Sequence, residues 1–275
     1  MRAVRYLALL TVTMCLSGCG GTENADHRRA VVAGFYPLAW AAERIGGADV
    51  RVVNLTPAGA EPHDLELSPR DVSTIRDASV VLYVGGGFQP ALEDAVAARD
   101  GASLNVLGSD TDPHVWLDPK RFAEIALDVG AALGRPAPAS RLADELEALD
   151  ERYRFGLAKC ERRTFVTSHA AFAILAKRYG LRELPLAGRS PEAEPSPKKL
   201  ERLIGDVRDS GATTVFSEPL VSNRLVETVA RETGAAVDVL DPAEGLSQER
   251  LAAGEDYFSV MRSNLTGLRR ALGCR

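Results

Sequence analysis

Residues 139–159 read ASRLADELEALDERYRFGLAK, a long charged segment that no strand-like run adjoins before Thr164. Its apolar residues recur every three or four positions, at Leu142, Leu146, Leu149 and Tyr153. That spacing is the period of one face of an α-helix. We therefore expect one long helix between two smaller folded units. A single sheet with one longer crossover helix is the alternative.

Strand-like apolar runs alternate with helical patterns on both sides of that segment. The strand-like runs are residues 30–33, 50–55, 80–84 and 103–107, then 164–167, 184–187, 213–217 and 236–240. Such alternation builds parallel sheets flanked by helices. We predict an α/β fold of two parallel-sheet lobes, residues 30–137 and 161–275, joined by one rigid helix over 138–160. Among the other helices we expect one over 197–210 and a last one over 248–271.

Three of the four histidines, His63, His114 and His169, stand just past such strand-like runs. Loops at the carboxyl ends of strands are where open α/β sheets bind ligands. Imidazole is also the commonest transition-metal ligand near neutral pH. Two of these histidines belong to the first lobe and one to the second, so a common site would lie in the cleft between them. We predict a metal site there, completed by a carboxylate from a fourth equivalent loop.

The start of the chain is typical of an exported protein. Residues 1–18 combine a basic start with an apolar stretch too short to span a membrane comfortably, which predicts a signal peptide. Leu16-Ser17-Gly18-Cys19 resembles a bacterial lipobox, in which Cys19 would carry the lipid. An ordinary cleaved signal or an uncleaved anchor is the alternative. The polar residues 19–29 are expected to form a flexible tether, and His27 within it is not expected to bind metal.

The cysteines and the charge agree with an extracytoplasmic protein anchored to the cell membrane by lipid. Once Cys15 leaves with the signal and Cys19 takes the lipid, Cys160 and Cys274 remain as a disulfide candidate. Two buried free thiols are the alternative. The net charge of −5, without a basic patch or interleaved aromatic residues, argues against a nucleic-acid partner. We expect a monomer.

The histidine-bearing segments resemble the metal-binding lipoprotein family of bacterial ABC importers, the zinc and manganese substrate-binding proteins. The matching stretches follow the family's order: residues 58–68, 71–72, 112–119, 165–180, 188–198 and 217–242. The most specific are DPHVWLDP at 112–119 and SPEAEPS at 190–196. The similarity spans nearly the whole mature chain. It implies two α/β lobes bridged by one rigid helix, with the ion buried between them.

The resemblance also implies a set of ligands: His63, His114, His169 and Asp241. Glu218, which follows a strand-like run, and Glu61 are spare carboxylates. In this family the third position tends to be histidine in zinc binders and glutamate in many manganese binders. Three imidazoles and one carboxylate also suit tetrahedral Zn²⁺. Mn²⁺ prefers more oxygen ligands and is the second choice.

The chain departs from the family pattern at two places. Many zinc members carry a long His- and acid-rich loop between the first two histidines, and residues 87–112 contain no histidine. The family often has Asp after the third histidine, where this chain has Ala170. An auxiliary metal site and a supporting role for that position are therefore not expected.

The function implied is that of an extracytoplasmic lipoprotein that captures Zn²⁺ and delivers it to a membrane ABC permease. The same role for Mn²⁺, a surface adhesin, and a zinc hydrolase with Glu218 near the ion are the alternatives. Against an enzyme, the sequence shows no His-Glu-x-x-His helix, nucleophile elbow or phosphate-binding glycine motif. Four protein ligands would also saturate the ion, so we expect no catalysis.

Overall fold

Two four-stranded sheets make up the framework of the protein, in a computed structural model that describes residues 28–191 and 195–275. The first contains Arg29–Ala33 (β1), Val50–Asn54 (β2), Val80–Tyr83 (β3) and Ala102–Asn105 (β4), in the order β2-β1-β3-β4. The second contains Thr164–Thr167 (β5), Arg182–Pro185 (β6), Thr214–Ser217 (β7) and Ala236–Val239 (β8), in the order β6-β5-β7-β8. All neighbouring strands run parallel. The predicted two-lobe α/β fold is confirmed, and the single-sheet alternative is wrong.

Helices cover the sheets and join the lobes. They are Tyr36–Gly46 (α1), Pro69–Asp77 (α2), Pro90–Ala97 (α3), Pro119–Leu133 (α4), Pro136–Gly156 (α5), Ala173–Arg178 (α6), Pro197–Ser210 (α7), Arg224–Thr233 (α8), Gln248–Ala252 (α9) and Tyr257–Leu272 (α10). Their ends follow local chemistry, as α4 illustrates. Asp118 caps it by accepting hydrogen bonds from the backbone of Lys120 and Arg121, and Pro119 occupies the first turn. The helix stops at Gly134, whose φ of 67° is left-handed.

The long helix α5 lies between the two sheets in sequence and starts and ends three residues earlier than the pattern at 139–159 predicts. Its apolar stripe is buried, as expected, at Leu142, Leu146, Leu149 and Tyr153. The Tyr153 hydroxyl donates to the Met261 carbonyl on α10, at 2.6 Å. Asp150 on α5 accepts hydrogen bonds from Arg178 of α6, the shorter at 2.8 Å. The C-terminal part of helix α5 is thus attached to elements of the second lobe. The lobe limits at residues 137 and 161 stay predictions.

One apolar core runs through both lobes. It contains Val31 and Leu82 from the first sheet and Phe165 and Phe216 from the second. Buried residues of α1, α4, α5 and α10 connect these two ends without interruption, among them Trp40, Phe122, Leu146 and Tyr257. Because close-packed interiors transmit strain rather than yield to it, the lobes are joined by a stiff connection.

Two elements differ from the sequence-based expectation. Strand β6 covers residues 182–185 instead of 184–187, because Arg182 and Glu183 pair with Thr164 and Phe165 of β5. The expected last helix over 248–271 is two helices, α9 and α10. Gly254 separates them at a φ of 80°, and Asp256 opens α10 with a capping box to Ser259.

The predicted signal peptide at 1–18, the lipidation site Cys19 and His27 lie outside the described residues. Strand β1 already begins at Arg29, the last residue of the predicted tether. Within residues 28–191 and 195–275, no helix is both long and apolar enough to cross a membrane.

A disulfide joins Cys160 to Cys274, which confirms the predicted pairing. It ties the segment after α5 to the end of α10. Backbone hydrogen bonds reinforce it, from Arg162 to the Leu272 carbonyl at 3.0 Å and from Arg275 to the Lys159 carbonyl at 3.0 Å. The bond closes a loop with a sequence separation of 114 residues.

Replacing both cysteines by serine should lower the free energy of unfolding, because the unfolded chain then regains the freedom of that long loop. The chain-entropy relation gives a loss on the order of 4–5 kcal/mol. Urea denaturation followed by far-UV circular dichroism measures it. The wild-type protein under reducing conditions should match the double variant. A difference from the oxidised wild type below about 1 kcal/mol would mean that the disulfide constrains little.

Candidate metal centre

The structure brings the three predicted histidines together. His63 lies in the turn Pro62–Asp64 after β2, His114 directly before the turn Val115–Leu117 after β4, and His169 two residues after β5. The distances between their ring centroids are 5.7 Å for His63–His114, 5.9 Å for His63–His169 and 5.5 Å for His114–His169. The loops past the carboxyl ends of strands in both sheets therefore meet at one point, as the sequence predicted.

The carboxylate that joins the histidines is that of Glu244, in the loop after β8. Its Oε1 lies 3.5 Å from Nε2 of His63, 3.4 Å from Nε2 of His114 and 3.8 Å from Nε2 of His169. One ligand atom from each of the four residues lies within 4.8 Å of the others. Two of these residues come from the first lobe and two from the second.

All four of these atoms are buried and have no hydrogen-bond partner. The side chains of His114 and His169 are 0% exposed, that of Glu244 2% and that of His63 10%. Buried polar atoms in proteins are nearly always hydrogen-bonded, so four unpartnered atoms converging on one point require an explanation. Three imidazole nitrogens and one carboxylate oxygen are the donor set of a tetrahedral zinc site. The cluster therefore fits a divalent metal ion.

Carboxylates behind two of the histidines fix which ring nitrogen faces the centre. Nδ1 of His114 donates to Oδ1 of Asp112 at 2.8 Å. Nδ1 of His169 donates to Oε2 of Glu218 at 2.6 Å, and the backbone N–H of His169 donates to Oε1 of the same carboxylate at 3.2 Å. Such partners leave Nε2 as the metal-facing nitrogen and raise its basicity. Glu218, a spare ligand in the sequence analysis, thus supports His169 from behind.

The third histidine is positioned differently. The ring of His63 lies edge-on against Phe88, with 4.4 Å between ring centroids. Its backbone N–H donates to Oε1 of Glu61 at 3.2 Å. Glu61, the other spare carboxylate, therefore caps the turn that carries His63. It also lines a narrow recess beside the centre, together with Glu218, Asp241 and Glu244.

The charges of the cluster shift its titration. Burial alone would raise the pKa of Glu244, but the three surrounding imidazoles hold it well below its usual range. Burial likewise disfavours the charged form of His114, yet Asp112 and Glu244 outweigh burial and raise the pKa of His114 to about 9. The pKa of His169 is also raised, against burial, by Glu218 and Glu244. Burial, with Glu244 nearby, raises the pKa of Glu61 to about 8. Without a metal ion, protons supply the positive charge that Glu244 attracts.

Asp241, the carboxylate named by the sequence analysis, lies in the same loop but its oxygens are engaged elsewhere. Its Oδ2 accepts a hydrogen bond from Arg250 at 2.7 Å, and its Oδ1 accepts the backbone N–H of Ala243 at 2.8 Å. Burial raises the pKa of Asp241, and the contact with Arg250 only partly opposes this. The structure therefore places Glu244, three residues later, where the sequence predicts Asp241.

The loop around Asp241 directs Glu244 inward. Ala243 is the one described non-glycine residue with a positive φ, 55°, and it is fully buried. The side chain of Asn264 holds the backbone of Asp241 through two hydrogen bonds, of 2.9 Å and 2.6 Å. From the first lobe, Nε1 of Trp116 donates to the Pro242 carbonyl at 2.7 Å. Sparsely populated backbone conformations persist where surrounding contacts enforce them, commonly at functional sites.

A signal for this arrangement is present in the sequence. An aspartate side chain often accepts the N–H of the residue two positions on, which forms an Asx-turn. Asp241, followed by a proline and then Ala243, suits such a turn, and the turn occupies one of its oxygens. Glu244 has no comparable local partner in the described residues, which makes it the better candidate for the fourth ligand.

Comparisons with known proteins agree with this geometry. Residues 31–271 match the family described as ZnuA, zinc-uptake complex component A, periplasmic. The zinc-binding lipoprotein AdcA of Streptococcus pneumoniae serotype 4 is 31% identical over an alignment that covers 97% of this chain and 61% of AdcA. The high-affinity zinc uptake system protein ZnuA of Bacillus subtilis is 30% identical, covering 92% of this chain and 90% of that protein. The chain thus spans about 61% of the length of the streptococcal relative.

A solved structure extends the likeness to the fold. The Zn(II)-bound ZnuA-like domain of S. pneumoniae AdcA has 32% sequence identity and a TM-score of 0.75, covering 89% of this chain and 99% of that chain. The chain belongs to the family of zinc-uptake complex component A. This is a family of metal-binding transport proteins and not of enzymes, as the sequence analysis expected.

Two isosteric variants separate the two candidate carboxylates. Glu244→Gln should weaken zinc binding by more than about 100-fold, beyond the 10–100-fold typical of lost outer partners. Asp241→Asn keeps the acceptor for Ala243 and loses only the contact with Arg250, so its affinity should fall by less than about tenfold. Competition with a chromophoric zinc chelator measures both affinities. If Asp241→Asn abolishes binding while Glu244→Gln does not, Asp241 is the fourth ligand.

Proposed function

We propose that the chain captures Zn²⁺ outside the cytoplasm and delivers it to a membrane ABC permease. The observation that carries this proposal is the convergence of four buried, unpartnered ligand atoms in one group, His63, His114, His169 and Glu244. The family relationship supports the same role, since the family description names zinc uptake.

The donor set supports zinc over manganese. Three nitrogens and one oxygen match the preference of Zn²⁺ for imidazole in a four-coordinate site. Mn²⁺ prefers carboxylate, carbonyl and water oxygens. The other nearby carboxylates, those of Asp112, Glu218 and Asp241, already accept hydrogen bonds from His114, His169 and Arg250. They are thereby drawn away from the additional oxygen coordination that manganese would require.

The same arrangement supports binding over catalysis. Catalytic zinc keeps an open position for water and has a general base beside it. Here four protein groups would surround the ion. Glu218, the base considered in the sequence analysis, accepts hydrogen bonds from both His169 and Ser168. Those contacts hold its carboxylate behind the imidazole rather than toward a metal-bound water.

The proposed location is the outer face of the cell membrane, with Cys19 as the lipidated residue and the folded chain as a monomer. A disulfide between Cys160 and Cys274 is compatible with this location, since disulfides persist in oxidising compartments. An anchored binding protein remains close to its permease, so each captured ion has a short distance to travel.

Release requires a change in the position of one lobe relative to the other. His63 and His114 belong to the first lobe, and His169 and Glu244 to the second, so any tilt between lobes separates the ligands. The permease must favour the tilted state, because a partner shifts a conformational equilibrium only by its differential affinity. The continuous core and helix α5 restrict that motion to a small tilt.

Metal titration of the soluble chain starting after Cys19 tests the proposal. We expect one zinc ion per chain, retained against excess Mn²⁺. His169→Ala should lose stoichiometric binding because it removes one of three imidazoles. His27→Ala, which changes the only histidine outside the cluster, should bind as the wild type does. Preference for Mn²⁺ would change the proposed ion, and the absence of any stoichiometric metal would refute the site.

Zinc affinity should fall as the pH falls, because each imidazole must be neutral to bind and protons compete for the same nitrogen. Between pH 7.5 and 5.5 we expect a loss of at least about tenfold, because the pKa of His114, raised to about 9, keeps a proton in competition with the metal across this whole range. Competition titrations at fixed ionic strength measure the change, and circular dichroism at each pH verifies that the fold persists. Equal affinity at both pH values would contradict a site built from three histidines.

A further inference from the structure

Arginines that are scattered in the sequence gather along one groove between α5 and α10. The groove measures about 620 Å³, and its lining includes Arg152, Phe155, Arg262, Leu265, Arg269 and Arg275. Within the described residues, Arg152, Arg262 and Arg269 have no ion-pair partner. The one acidic residue in the lining, Glu151, pairs with Arg154 at 2.5 Å. The groove is therefore strongly positive on a chain whose net charge is −5.

An exposed aromatic residue lies among these charges. Phe155 is 65% exposed, the most exposed of the large apolar residues that the structure describes. The Arg154 guanidinium stacks over its ring at 4.3 Å from the centroid. Arginine beside exposed phenylalanine is the composition of surfaces that bind membrane interfaces, where the aromatic ring enters the headgroup region. Each basic residue near an anionic bilayer adds to the attraction.

We propose that this groove binds the anionic surface of the bilayer in which the chain is anchored. The proposal rests on the lipid anchor at Cys19 in the proposed function. A membrane is the occupant that the anchor keeps permanently within reach. An acidic segment of another protein would satisfy the same charges, but nothing would hold it beside the groove.

The position of the anchor agrees with this occupant. Arg29 of β1 pairs with Val50, and the neighbouring Asp49 forms an ion pair with Arg135, directly before α5. The folded chain thus begins near the start of α5. Residues 20–28 can span at most about 30 Å, and the 21 residues of α5 are also about 30 Å long. The tether can therefore reach from the start of α5 to the groove near its end, so a bilayer that holds the anchor can also contact the groove.

Occupying the groove leaves the metal centre accessible. The recess beside the centre is lined by loop residues at 61, 218–221, 241–242 and 244. None of these residues belongs to α5 or α10. The bilayer-bound protein could therefore still load zinc, so that the groove sets the orientation in which the anchored chain captures its ion.

Vesicle binding by residues 28–275 tests the inference without the anchor. This segment contains every helix and strand described, and its counterpart in AdcA has been solved as a separate domain. In a sedimentation assay, vesicles of phosphatidylglycerol should bind at least tenfold more wild-type protein than vesicles of phosphatidylcholine. Added salt should weaken this binding. The double variant Arg262→Glu/Arg269→Glu should bind phosphatidylglycerol vesicles at least tenfold less than the wild type. The control variant is Arg70→Glu/Arg202→Glu, which makes the same charge change at exposed positions of α2 and α7. Its binding to phosphatidylglycerol vesicles should fall much less.

A spectroscopic variant locates the contact. Trp40 and Trp116 are buried, so the emission of Phe155→Trp reports the groove. We expect a blue shift with phosphatidylglycerol vesicles and none with phosphatidylcholine. No preference for anionic vesicles, or equal losses in both charge-reversal pairs, would overturn the inference. Zinc titration of the same variants separates the two proposals, since intact zinc binding without vesicle binding removes only this one.

Discussion

A buried carboxylate facing three imidazole nitrogens is the constraint on which the rest of the site depends. An isolated charge inside a protein is very costly unless a compensating charge lies beside it. Glu244 is 2% exposed and its unpartnered Oε1 faces only imidazole Nε2 atoms. A metal ion between these atoms satisfies all of them at once. Asp112 and Glu218 matter because they turn the rings so that this compensation is possible.

Dividing the ligands between two lobes makes the fold itself part of the coordination. The lobes share one core, and the contacts that cross between them are specific. The Trp116 indole binds the Pro242 carbonyl, and the Tyr257 hydroxyl donates to the Trp116 carbonyl at 2.6 Å. The segment with His114 is thereby connected to the loop with Glu244. A displacement of one lobe must disturb both ends of this connection, so the ligand geometry responds to small movements.

Much of the fold follows from local sequence signals. Strand β5 and helix α7 have the bounds that the sequence predicts. An apolar run marks β5, whereas Ser196, Pro197 and a terminal glycine mark the ends of α7. Strand β6 is displaced because hydrophobicity marks burial, whereas strand membership depends on backbone pairing. Leu186 is fully buried but lies beyond the ladder. The break before α10 depends on a capping box that the apolar periodicity conceals.

The candidate site likewise has a part that the sequence predicts and a part that depends on the folded structure. The three histidines could be found because each follows a strand, and parallel strands end at a common edge. The fourth residue could not be found by position alone, since Asp241 and Glu244 share one loop. Which of them faces the histidines depends on Arg250 and Asn264, which lie 9 and 23 residues beyond Asp241 and contact it only in the folded chain.

The left-handed backbone at Ala243 restricts how this loop can change during evolution. Alanine tolerates that conformation at a cost, glycine adopts it freely, and branched side chains are largely excluded. The complete burial of Ala243 also excludes the larger polar residues that otherwise accept this conformation. The side chain of residue 243 offers no ligand atom, yet its permitted replacements are nearly reduced to glycine. A residue with no chemistry of its own can therefore be among the slowest to diverge.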